Sequence, residues 1–110
     1  MKLPNADKVL VRQEKLTDYL LNAAHPDSNG KAEFFESFGF RVNDWETLVK
    51  ASRRTALEGE VIRHLETSHG VKYVLHAAME TPSGESPLVR TVWIVDRGRN
   101  CPRLVTVYPA

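Results

Sequence analysis

The chain has 110 residues, near the commonest size for a single domain, and 42% of it is hydrophobic, so one packed core is expected. With 15 basic and 14 acidic residues the net charge is +1, without the strong basic excess usual in nucleic-acid-binding domains; only the distribution of charge could carry such a role. One cysteine, Cys101, excludes an internal disulfide, and no apolar run approaches the roughly 18–20 residues of a membrane span.

Leu3-Pro-Asn-Ala reads as a turn. Met1 to Asp7 lack the apolar stretch of a signal peptide, so a single cytoplasmic domain over 1–110 is expected. Lys8 to Arg12 is a short apolar run suited to a sheet edge. From Gln13 to Asn22, Leu16, Tyr19 and Leu20 recur at helical spacing with Leu21 alongside. Asn22 to Gly30 interrupts the pattern with Pro26, Asp27, Ser28, Asn29 and Gly30. A second helix is predicted over 31–38. Ala32, Phe35 and Phe38 form its buried stripe, Gly39 is its left-handed stop, and Phe40 folds back over the end. A third helix opens on a capping box, Asn43 and Glu46, and ends at Glu58-Gly59. It buries Trp45, Leu48, Val49 and Ser52 and turns Lys50, Arg53 and Arg54 outward.

The period then becomes strand-like: Glu60 to Thr67, Val71 to Thr81, Pro87 to Val95 and Pro102 to Tyr108, separated by the turn residues Ser68 to Gly70 and Pro82 to Gly84. The expected fold class is α+β, three N-terminal helices packed on one face of a four-stranded antiparallel β-meander, with Lys8 to Arg12 as a short extra edge strand.

The last two strands carry polar residues where a plain core would not. A loop over Arg97 to Asn100 sets Asp96 opposite Cys101, Thr91 opposite Thr106 and Trp93 opposite Leu104, the last four on one face. Arg90 and Arg103 share the other face. Arg90 and Thr91 point opposite ways in a regular strand, as do Arg103 and Thr106, so both members of a pair line one site only where a bulge intervenes. The arginines suit either bidentate phosphate binding or the covering of apolar surface with their stems. The threonines suit either substrate hydrogen bonds or a cross-strand pair. Trp93 and Tyr108 suit either base stacking or the core, and spacing favours the core.

Elsewhere, His25 beside Pro26 and Lys31 at a helix start form a segment able to handle protons and anions. The same residues would also serve a plain helix–helix connector, which spacing alone favours. His64, His69 and His76 lack the spacing of a zinc site. No phosphate loop, nucleophile elbow or dinucleotide fingerprint is present, so neither cofactor nor metal is expected.

Taken together, Leu3-Pro-Asn-Ala, Lys15-Leu-x-x-Tyr-Leu-Leu-Asn22, His25-Pro26, Lys31-Ala, Phe34-Phe-x-x-x-Gly-Phe40, Trp93-Ile-Val and Pro102-Arg-Leu-Val-Thr106 resemble a small bacterial family catalogued as a domain of unknown function. Such domains occur alone and at the C-termini of polymorphic and contact-dependent inhibition toxins. Those toxin ends are similar to the barnase–EndoU–colicin–RelE superfamily of metal-independent ribonucleases. The resemblance implies RNA cleavage by 2′-hydroxyl attack, with an antitoxin or immunity protein as partner. It places His25, Lys31, Thr91 and Thr106 in catalysis and Arg90, Trp93 and Arg103 in substrate binding. The near-neutral charge departs from that pattern. The competing expectation is a non-catalytic protein-binding module using a sheet edge and the Trp93/Tyr108 surface.

Overall fold

The computed structural model describes residues 1–26 and 30–110; the turn predicted over Asp27, Ser28 and Asn29 lies outside them. The first helix, α1 (Gln13–Lys15), continues at once into a π-helical turn, Leu16–Leu20. There the Leu21 N–H donates to the Leu16 carbonyl at 2.7 Å, a bond spanning five residues instead of four. The wider turn lets Leu16, Leu20 and Leu21 all reach the core, and it turns Tyr19, counted in the apolar stripe from spacing, onto the half-buried flank.

Helix α2 (Lys31–Ser37) follows Gly30, whose φ of 81° lies in the left-handed region. Its end is the Schellman closure expected of Gly39 and Phe40. The Gly39 N–H donates to the Glu36 carbonyl at 3.0 Å and the Phe40 N–H to the Phe35 carbonyl at 3.1 Å. The Phe35 and Phe40 rings then meet edge to face, 6.0 Å between centroids. Helix α3 (Trp45–Glu58) differs from expectation at its start. Val42–Asp44 forms a 3₁₀ turn that absorbs Asn43, so Asp44 is the cap residue. The predicted Asn43–Glu46 box does not form; instead the Thr47 hydroxyl donates to Asp44 Oδ2 at 2.9 Å.

Strands β1 (Glu60–Glu66), β2 (Gly70–Ala78), β3 (Leu88–Asp96) and β4 (Arg103–Pro109) form one antiparallel sheet in the order β1-β2-β3-β4. The predicted fifth strand shrinks to one parallel bridge between Leu10 and Arg103 at the β4 edge. Leu75, Val89, Trp93, Leu104 and Val107 turn one sheet face into a common core with Leu16, Leu20, Phe35, Phe40 and Leu48 from the helical half. Arg90, opposite Tyr108 and His76, belongs to the other face.

A bulge in β4 corrects the expected register. Trp93 does pair with Leu104, but the pairing then slips by one residue. Thr91 faces Val107, and Thr106 faces Val92. The extra residue moves Thr106 off the core face and onto the face of Arg90 and Tyr108.

Candidate functional site

Three parts of the chain that are remote in sequence meet around the phenol of Tyr19. The π turn swings that side chain toward the β4 edge. The bulge in β4 turns Thr106 to meet it, and their hydroxyls lie 3.3 Å apart. From the first turn of α2, Lys31 Nζ donates to the Tyr19 hydroxyl at 2.6 Å and lies 5.0 Å from the ring centroid. The Lys15 ammonium, four residues before Tyr19 on the same helical stretch, is 5.3 Å from the centroid. The half-buried His25 ring packs edge-on against Tyr19, with centroids 5.0 Å apart. One phenol is thus ringed by an imidazole, two ammonium groups and a hydroxyl.

Burial alone would raise the proton affinity of this phenol. The hydrogen bonds from Lys31 and Thr106, with the positive charges of Lys31 and Lys15, outweigh it and hold the Tyr19 pKa below the ordinary 10.0. A folded-state value below the unfolded one stabilises the fold fully only above the unfolded value, and that contribution disappears as pH falls through the folded value. The coupling is therefore an alkaline effect. Absorbance titration at 295 nm should show a phenol ionising below the usual tyrosine range, and Lys31→Met should move that transition upward. An unchanged titration in the variant would separate Lys31 from the phenol.

The remaining sequence candidates lie in different surroundings. Thr91 and Trp93 are closed from solvent. The Trp93 indole N–H donates to Thr91 Oγ1 at 2.8 Å, so each satisfies the other within the core. With Trp93 buried, the expected Trp93/Tyr108 surface reduces to half-buried Tyr108. Arg103 is held by Asp96 through paired hydrogen bonds, Nε to Oδ2 at 2.7 Å and an Nη to Oδ1 at 3.1 Å. Those bonds keep the Asp96 carboxyl below its usual range and raise Arg103. Arg90 is exposed and lies diagonally from Thr106 on the same sheet face; such neighbours sit roughly 7–8 Å apart. Among the described residues no carboxylate pairs with Arg90.

His25, Lys31 and Thr106 are therefore together, Arg90 borders them, and Thr91, Trp93 and Arg103 are elsewhere. Sequence reasoning missed Tyr19 and Lys15. The signal was the Lys15–Tyr19 spacing of four, which sets a cation beside an aromatic ring on one helix face.

Residues 2–110 match the family model described as "Domain of unknown function (DUF6883)". No curated protein matches. A chain in the solved structure "Contact-dependent growth inhibition toxin - immunity protein complex from Klebsiella pneumoniae 342" superposes with a TM-score of 0.71 at 16% identity, covering 91% of this chain and 98% of that one. At that identity the likeness is one of fold.

Proposed function

The chain belongs to the DUF6883 family, and from that premise we propose that it is a ribonuclease-like toxin domain, cutting RNA by attack of the ribose 2′-hydroxyl and paired with an antitoxin or immunity protein. The observation that carries the reading is the convergence on Tyr19: Lys31 of α2 at 2.6 Å, Thr106 of β4 at 3.3 Å and the ring of His25, from the connection before α2, at 5.0 Å. The structural neighbour supports the pairing, since it is a chain from a complex of a contact-dependent growth inhibition toxin with its immunity protein.

In this scheme His25 and Tyr19 handle the protons. One takes the proton from the 2′-hydroxyl as its oxygen bonds to phosphorus; the other gives a proton to the departing 5′ oxygen as the P–O5′ bond breaks. The products are a 2′,3′-cyclic phosphate and a 5′-hydroxyl. Lys31 and Lys15 face the extra negative charge on the pentavalent phosphorus, where fixed cations stabilise the transition state more than the ground state. Thr106 orients the phenol, and Arg90 approaches from the sheet face. Every group in the scheme comes from the chain, so the test is run in chelator. The purified protein is incubated with tRNA and total RNA, with the His25→Ala protein as the blank. Fragments ending in cyclic phosphate are expected from the wild type. RNA left equally intact by both proteins would end the nuclease reading.

A further inference from the structure

A cationic concavity lies further along β4, at the end where it leaves the β3–β4 turn. The turn and the segment leading into α1 enclose a groove of about 310 Å³, lined in part by Arg12, Arg97, Arg99, Arg103 and Asp96. Among the described residues Asp96 is the one carboxylate in that lining, and Arg103 already holds it with two hydrogen bonds. Arg12, Arg97 and Arg99 are exposed, and among the described residues none of them forms an ion pair. The lining therefore carries an uncompensated positive charge in a molecule whose net charge is only +1.

These arginines project from a fixed backbone. Leu10, two residues before Arg12, is bonded to β4 on both sides: its N–H donates to Pro102 at 2.8 Å and its carbonyl accepts from Leu104 at 2.9 Å. The Arg97 N–H donates to the His69 carbonyl and the Arg99 N–H to the Asp96 carbonyl, both at 2.9 Å. Asn5 Nδ2 ties down the Asn100 carbonyl at 3.1 Å. The hydrogen bonds from Arg103 are the main cause of the depressed Asp96 pKa, and the charges of Arg103, Arg99 and Arg12 add to it, so these guanidinium groups act on one point.

We propose that this groove binds a phosphate-class oxyanion carried by a polynucleotide backbone, as a subsite separate from the Tyr19 cluster. Planar guanidinium groups match phosphate with paired hydrogen bonds, and their fork geometry is set before binding, so less freedom is lost for each bond formed. Arg103 faces Ile94 and Thr106 faces Val92, so across the bulge the two are two β3 positions apart, roughly 7 Å at the usual rise. A single strand laid along β4 would meet both. The proposal rests on the RNA reading for its source of phosphate, but not on the chemistry at Tyr19.

The test is anisotropy of a fluorescein-labelled oligothymidylate, which has no 2′-hydroxyl to attack, across a range of NaCl concentrations. Wild type is compared with the triple variant Arg12→Gln, Arg97→Gln and Arg99→Gln, all exposed positions, with circular dichroism confirming an unchanged fold. The triple variant should bind at least about tenfold more weakly, and its log–log salt slope should flatten by about 2, near 0.7 for each single-strand phosphate that is no longer neutralised. Equal affinity and equal slope would overturn the proposal. Binding of inorganic phosphate without binding of the oligomer would overturn the polynucleotide source. The two readings fail separately: binding that needs the arginines without any RNA cutting removes the nuclease and keeps the groove, whereas cutting with arginine-independent binding does the reverse.

Discussion

Exchanging Lys31 for methionine should slow RNA cleavage by about 10²–10³-fold, the usual loss when one positioned donor to a developing negative charge is removed. Methionine keeps much of the length and the apolar stem, so half-buried Lys31 loses its charge and its 2.6 Å bond to Tyr19 while the start of α2 remains filled. Single-turnover cleavage under saturating protein is the measurement, because it separates the chemical step from binding. His25→Ala should cost about 10²–10⁴-fold, the range for a lost proton-transfer group. If Lys31 and the phenol act as a unit, Tyr19→Phe combined with Lys31→Met should cost little more than the worse single change. A Lys31→Met protein cutting within about threefold of wild type would remove Lys31 from the mechanism.

Truncating Trp93 to alanine should destabilise the protein by about 3–5 kcal/mol, a large part of the roughly 5–15 kcal/mol that holds a domain together. The indole is fully buried between sheet and helices, so its removal leaves a cavity as well as losing buried apolar area. It also strips Thr91 of its hydrogen-bond donor. Trp93→Phe keeps most of the volume and loses mainly that bond, at about 1–2 kcal/mol. Urea unfolding followed by circular dichroism measures both. A Trp93→Ala protein within about 1 kcal/mol of wild type would show that the core reading of this residue is wrong. RNA cleavage by folded Trp93→Phe should stay near the wild-type rate, since the ring does not face solvent.

The fold was legible because its signals are local. Alternation and turn residues delimited four strands to within a few positions, and Gly39 followed by Phe40 specified a helix end that forms as expected. Two deviations were not legible, and both position the site. The π turn at Leu16–Leu20 depends on how three leucines share a core with Phe35 and Leu48, which no window of sequence contains. The β4 bulge is likewise a compromise between the sheet and what packs on it, and a register counted from the turn cannot show it. These two irregularities bring Tyr19 and Thr106 together. Periodicity puts Tyr19 in the apolar stripe of the first helix, where it packs half-buried against the core, and a turn-counted register puts Thr106 on the face opposite its actual one. The pairing of Arg103 with Asp96 was equally hidden, because residues seven apart across a hairpin end carry no spacing rule of their own.

Tyr19 and Thr106 share a hydrogen bond across 87 positions of the chain. Synthesis runs from the N-terminus, so the imidazole and both ammonium groups emerge well before the strand that completes their surroundings. Pairings of such long separation form late. A chemistry that depends on all of these groups therefore begins only after β4 has joined the sheet. On the nuclease reading proposed above, the unfinished polypeptide would pass the ribosome's own RNA with its site still incomplete.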